Sequence, residues 1–389
     1  MQVKSFFFIV PIAVVFIAGN ISAQTPQRTV SSIEVVTPPD KTDYYPGEDL
    51  DLGGIEVRVV YSDRSARYED ITIENISGYD KNRLGSQTVT VNFEGQSAVF
   101  SVFVLDTDEA GVTLITVVQR GSAGRIRGYG NAGVFITRRT VELGPYSIAR
   151  YELSYDIWYS VYQWAVSSER GNACYTFTAA GREGNGGVDG AAPTADAAKQ
   201  PVTNMTWEDA LLWCNAYSEM NGLKPAYTIR SSAFPVARSA SGQFVLDISA
   251  EGYRLPTEAE WEFAARGAEP EGPDWNFTVA GSNNTSSVAW FKGNSGGNAH
   301  GIGLKPANRL GLFDMSGNVW EWCWDTFGPI QPEIIANPSG GEDYSLRRVV
   351  RGGSFFNDAA QAAVTYRASP SPGNFYDNIG IRLVRSLTD

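Results

Sequence analysis

From Val30 to Leu105 apolar and polar residues alternate in short runs, at Ser32–Val36, Ile55–Tyr61, Gln87–Phe93 and Ala98–Val104. A period of two sends successive side chains to opposite faces, which is the pattern of a half-buried strand. Pro46-Gly47, Gly53-Gly54, Ser62-Asp63 and Glu94-Gly95 separate the runs. Short strands at that pitch predict a β-sandwich of roughly 75 residues over 30–105. Residues 106–111 form a polar linker, and Val112–Val118 and Val134–Thr137 are further strand candidates around a Gly-rich loop at 121–133. The period then becomes helical. Ser154 is placed to cap a helix running through Trp164, with Ile157, Val161 and Trp164 on one face. Thr206 with Asp209, and Thr257 with Glu260, read as capping boxes. The first of these helices ends near Met220 at Asn221-Gly222, and the second is closed by Gly267. Spans 179–200 and 280–305 read as long surface loops, and strands resume at Arg351.

The densest pattern lies in Gly311-Leu-Phe-Asp-Met-Ser-Gly-Asn-Val-Trp-Glu-Trp-Cys-Trp-Asp325. Trp320, Trp322 and Trp324 alternate, so one strand face carries three indoles, each a large apolar area with an N–H to satisfy. Just upstream, Asp314, Gly317, Val319 and Glu321 are spaced to offer two carboxylates and two backbone carbonyls to one point. Oxygen-only ligation of that kind suits calcium. A turn with solvated acids fits the same spacing.

Charge and compartment narrow the picture. A formal net charge of −12 with no basic stripe argues against a nucleic-acid partner. Lys4, the apolar run Phe6–Ala18 and Ile21-Ser-Ala23 before Gln24 read as a cleaved signal peptide over residues 1–23. The mature chain is therefore expected to be exported, bacterial, and without a transmembrane segment after cleavage. Cys174, Cys214 and Cys323 then meet an oxidising compartment, where two can pair or all three can stay reduced. Replacing all three with Ser is expected to leave the fold intact.

The run GLFDMSGNVWEW resembles the signature of the formylglycine-generating-enzyme-like, or sulfatase-modifying-factor, domain, a variant of the C-type-lectin fold. Further pieces follow in order: Tyr151-Glu-Leu-Ser154, Pro201-Val-Thr-Asn-Met-Thr-Trp-Glu-Asp-Ala210, Gly252-Tyr-Arg-Leu-Pro-Thr-Glu-Ala-Glu-Trp261, Arg351-Gly-Gly-Ser354 and Asn378-Ile-Gly-Ile-Arg382. Residues 30–105 resemble the bacterial immunoglobulin-like module, commonly a spacer. The expected architecture is an N-terminal all-β immunoglobulin-like sandwich followed by a loop-rich, α+β C-type-lectin-like domain over 112–389. The resemblance implies calcium at Asp314, Gly317, Val319 and Glu321.

It does not carry the family's oxidase chemistry with it. Where the copper-binding cysteines of that family follow the Gly-Gly-Ser motif, this chain has Asn357 and Ala362, neither a soft ligand for Cu(I). The iron-dependent relatives need a histidine cluster, and the sequence holds only His300. No copper or iron is expected. Glu258 and Glu262 read as ordinary acids at a helix start. The tail 351–385 is similar to the variable region displayed by diversity-generating retroelements on this fold. Phe356, Asn357, Asp358, Asn374, Phe375, Tyr376 and Asp377 mix aromatic and short polar side chains as recognition surfaces do, whereas Phe355 is expected in the core. The sequence thus predicts a surface or periplasmic protein binding a protein or glycan ligand. An enzyme of the same superfamily with unrecognised chemistry and a structural envelope protein are the alternatives.

Overall fold

The computed structural model describes residues 28–108, 111–119, 124–230, 236–240, 242–338 and 347–387. Residues 1–23, where a signal peptide is expected, lie outside them. Among the described residues no helix is long and apolar enough to cross a membrane.

The N-terminal module forms as its alternation demands. Strands Val30–Thr37, Glu56–Tyr61 and Ala66–Glu69 make one antiparallel sheet. Asp43–Tyr44, Gln96–Val104, Gly85–Phe93 and Ile76–Ser77 make the other, in that order. Val57, Val59, Val89, Val91, Val102 and Val104 point between the sheets and are buried. The Phe93↔Gln96 pair closes a two-residue hairpin in which Glu94 and Gly95 both have positive φ, 44° and 83°. Such a turn matches the twist of the strands it joins.

The polar segment after it is not a free linker. Asp106–Thr107 pairs with Thr113 and Leu114 as the edge strand of the next domain's sheet. Asp108 accepts hydrogen bonds from the Tyr217 hydroxyl at 2.5 Å and from the Tyr253 hydroxyl. Arg150 reaches back to Asp43 at 2.7 Å, and Phe103 packs on the second domain's core. The two modules are therefore docked by ion pair, strand and ring.

In the second domain a five-stranded sheet runs Tyr253–Arg254, Val384–Ser386, Tyr146–Ala149, Thr113–Val118, Asp106–Thr107. The last strand of the chain thus lies beside the domain's early strands. Helices α1 (Tyr155–Val166), α2 (Trp207–Met220) and α3 (Glu258–Ala265) start after Ser154, Thr206 and Thr257, with reciprocal capping boxes at the latter two. Trp158 of α1 stacks on Trp213 of α2 with centroids 5.5 Å apart.

Strand Trp320–Thr326 sits between Arg348–Arg351 and Ile379–Gly380. Its alternation sorts two cores. The three indoles join the cluster built on α1 and α2, while Cys323 joins the one built on α3. The Trp207 indole donates to the Cys323 carbonyl at 2.9 Å, stitching α2 to this strand. Trp322 Nε1 finds no acceptor among the described residues, a cost that its packing offsets.

The acids of α3 differ from the helix-start reading. Glu258, Glu260 and Glu262 are all buried. Glu260 is held by both ends of the Arg254 guanidinium at 2.7 Å, and Glu258 pairs with Arg367. Glu262 pairs with Arg266 at 3.0 Å and with Arg351. Arg254 and Arg266 are local partners, but Arg351 and Arg367 lie 89 and 109 positions from the acids they meet, beyond the reach of local spacing. Asp325 faces this network, forms no ion pair among the described residues, and accepts the Glu258 N–H at 2.7 Å. Burial, and then the nearby Glu258 charge, push its carboxyl up to about 8.

That shift has a definite sign. Asp325 stays protonated in the fold while the unfolded carboxyl ionises from its ordinary 3.8, so stability falls as pH rises from about 4 to about 8. Asp325→Asn keeps an oxygen to accept the Glu258 N–H and removes that loss. Melting curves across this range should show the variant gaining on the wild type as pH rises. A difference independent of pH would mean that Asp325 is ionised in the folded protein.

Candidate functional site: a buried acidic centre and an aromatic rim

The turn before the tryptophan strand is built from left-handed residues. Asp314, Gly317 and Asn318 have φ of 55°, 83° and 58°. Asp and Asn tolerate that region better than other side chains. Gly317 has no alternative, since a Cβ there would lie 2.3 Å from the Trp290 carbonyl oxygen. The turn aims Asn318 Nδ2 at Glu152 Oε2 (2.6 Å) and the Val319 N–H at Glu152 Oε1 (3.1 Å). Glu152 belongs to the Tyr151–Ser154 motif, yet nothing local marked it as a partner of this loop.

Glu321 is bound by the Arg382 guanidinium, with Nη2 at 2.7 Å from Oε1, and accepts the Trp261 indole N–H at 2.6 Å. Arg382 also donates to the carbonyls of Ala149 (2.9 Å) and Phe313 (2.7 Å). Asp314 Oδ2 accepts the Gly303 N–H at 2.6 Å, whereas the buried Oδ1 has no partner among the described residues. Burial pushes the Asp314 carboxyl up to about 6, and burial followed by the Asp314 and Glu321 charges raises Glu152 well above the usual carboxylate range.

Three buried carboxylates thus share one guanidinium, and the excess charge calls for protons or a cation. The donor set is hard oxygen, and Asp314 Oδ1 is free to ligate. In these respects the site fits calcium. It differs from the expected cage in one respect: Glu321 is already committed to Arg382 and Trp261. Among the described residues no three His, Cys, Asp or Glu groups form a ready metal cluster.

The tail is drawn together by Ser354. Its hydroxyl donates to Asn357 Oδ1 at 2.5 Å and accepts from Asn378 Nδ2 at 3.1 Å, so residues 354–358 and 374–378 flank one seam. Phe356 is 65% exposed and Phe375 52%, while Phe355 is buried as expected. Asp358, Asn374 and Asp377 are exposed, and Asn357 is half-buried with its carbonyl accepting from Lys292 N. Tyr366, also exposed and 6.0 Å from Trp320, joins the aromatic set without having been singled out in the sequence.

Tyr376 does not belong with the free rim residues. Its ring packs on the core 6.4 Å from Trp322 and its hydroxyl accepts from Ser371 N at 3.1 Å. Asn357 and Ala362 stand here without any cysteine, and Ala362 is buried. All three thiols of the chain are free. Cys214 and Cys323 sit inside apolar clusters, where a Ser hydroxyl would be stranded. The triple Ser variant is therefore expected to fold with reduced stability.

Similarity to known proteins agrees with this architecture. Residues 111–387 match the sulfatase-modifying factor enzyme 1-like domain, and residues 37–104 match the group 3 bacterial Ig-like domain. The chain is 34% identical over 210 residues to the chaperone protein LppX of Paenibacillus barcinonensis, covering 48% of this chain and 70% of that protein. It is 35% identical over 147 residues to the inactive C-alpha-formylglycine-generating enzyme 2 of Mus musculus, covering 35% of this chain and 44% of that one. It therefore spans less than half of the second relative. Treponema denticola variable protein 1 superposes with a TM-score of 0.57 at 28% identity, over 73% of this chain and 99% of that one. The C-terminal domain thus has a C-type-lectin-like fold, as the motifs implied. The chain belongs to the sulfatase-modifying factor enzyme 1-like family, with a bacterial Ig-like domain ahead of the family domain.

Proposed function

We propose that this protein is an exported bacterial ligand-binding protein, at the surface or in the periplasm, whose rim around Phe356 and Phe375 recognises a protein or glycan. The observation carrying this reading is two large rings left in solvent beside a seam that is otherwise hydrogen-bonded. Rigid exposed rings next to short polar groups give contact area at little entropic cost. The Ig-like module serves as a spacer that presents the second domain. Likeness to a variable protein and to an inactive formylglycine-generating enzyme supports binding over oxidation.

The oxidase reading fails on chemistry, because Asn357 and Ala362 cannot supply two thiolates to copper. Incubation with a sulfatase-type cysteine peptide, with and without copper, should yield no formylglycine above background. Product in either arm would return the protein to the oxidases.

For the rim, Phe356→Ala with Phe375→Ala should change stability by less than about 1 kcal/mol, as surface substitutions do. Tyr376→Ala, which unpacks a ring from Trp322, should cost about 2 kcal/mol or more. Binding to glycan arrays or to intact cells should fall in the Phe pair. Unchanged binding by that pair would remove the rim from recognition.

We further propose that calcium balances the buried acids through Asp314, with Glu321 and the carbonyls of Gly317 and Val319 around it. A ligand bound only to the folded state at a hundredfold excess over Kd adds about 2.7 kcal/mol. EGTA should lower the melting temperature, and Asp314→Ala should abolish that response. Glu321→Ala is unsuitable, since it would strand Arg382. Indifference to EGTA would mean that protons alone balance the three carboxylates.

A further inference from the structure

A cavity of about 410 Å³ opens where the chain enters the second domain, formed by residues outside the aromatic rim. Its apolar wall comes from Val112, Leu153, Ile157 and Ile302. Glu152 lines it as well, and so does Gly303, whose N–H is spent on Asp314. Asp156 lines it from the first turn of α1. Ser154 donates to Asp156 Oδ1 at 2.5 Å, and Oδ2 makes no hydrogen bond among the described residues. Among the described residues lining the cavity, the exposed Lys199 is the one cation.

Charge and shape together select a ligand. A carboxylate has about four acceptor sites, and Glu152 uses one on each oxygen, for Asn318 and Val319. Asp156 adds a carboxylate at the same wall with Oδ2 unbonded among the described residues, whichever of protons or calcium balances the acids behind Glu152. Low-dielectric walls focus such a field into the opening, whereas the exposed Lys199 ammonium is screened by solvent. The volume lies in the range of small-molecule sites and, at roughly 30 Å³ per heavy atom, has room for on the order of ten of them.

We infer that this cavity binds an aliphatic primary amine, with its hydrocarbon stem along Val112, Ile157 and Ile302, its ammonium on the Asp156 carboxylate, and Glu152 as a second hydrogen-bond acceptor. A free polyamine and the lysine side chain of a partner share this chemistry. The site stands independently of the rim, so either can fail alone.

Calorimetric titration of the full chain at about 0.15 M salt tests it with 1,8-diaminooctane and its neutral counterpart, 1,8-octanediol. The diamine should bind at least about tenfold more tightly, a difference of about 1.4 kcal/mol. Ile157→Trp, which fills the cavity while leaving the charges in place, should weaken the diamine at least about fivefold. So should Asp156→Asn, which preserves shape and keeps the proposal testable if the Trp variant misfolds. Nα-acetyl-lysinamide binding alongside the diamine would support the site and assign it to a partner's lysine. Binding of the diamine alone would support it and assign a free amine. Equal affinity for amine and diol, unaltered binding in the variants, or no binding at about 10 mM would overturn the inference.

Discussion

The ion pair of Arg382 with Glu321 is the constraint on which the second domain turns. One guanidinium neutralises the carboxylate of the tryptophan strand and donates to carbonyls of Ala149 and Phe313. Glu321 in turn accepts the Trp261 indole from α3. The pair therefore ties the strand, the early sheet, the turn before the strand and α3 at a single buried point. Removing either partner would leave an uncompensated charge in the core, a cost typically of about 3–5 kcal/mol. The surplus of carboxylates around it is a consequence. Glu152 satisfies the backbone and side chain of the turn, Asp314 satisfies Gly303, and both acids bring charge that Arg382 cannot balance alone.

A scaffold fixed in this way leaves its loops free to vary. The polar groups of the seam between residues 354 and 378 are satisfied by one another, so the side chains of Phe356 and Phe375 are not needed to hold the backbone. This separation of structural from exposed residues is what recognition requires of a platform. It also leaves room for Asn357 and Ala362 at the positions where the resemblance implies copper-binding cysteines. Ala362 packs with Val279, Val288 and Ala289 in a small apolar cluster.

Much of this was legible in the residues. Ser154, Thr206 and Thr257 announced three helices because capping is local, and Trp320, Trp322 and Trp324 announced a buried strand because alternation is local. Phe355 and Phe356, adjacent in sequence, separated into core and solvent as expected. The misreadings concern partners distant along the chain. Glu258 and Glu262 looked like solvated helix-start acids until Arg367 and Arg351 arrived from elsewhere in the sequence. Glu152 meets Val319 across 167 positions, and no spacing rule reaches that far. Tyr376 sits between exposed neighbours but turns inward to Trp322, an orientation set by tertiary packing. Asp106–Thr107 has a linker's composition, yet it completes the edge of a sheet.

The central claim is that the rim is uncoupled from folding while its immediate neighbours are not. Saturation mutagenesis of residues 354–378, scored by protease resistance of the displayed full chain, measures this position by position. The account predicts broad tolerance at Phe356, Asp358, Asn374, Phe375 and Asp377, and intolerance at Phe355, Ala362, Val364 and Tyr376. Intolerance at Phe356 and Phe375 equal to that at Phe355 would make the rings structural and contradict the account.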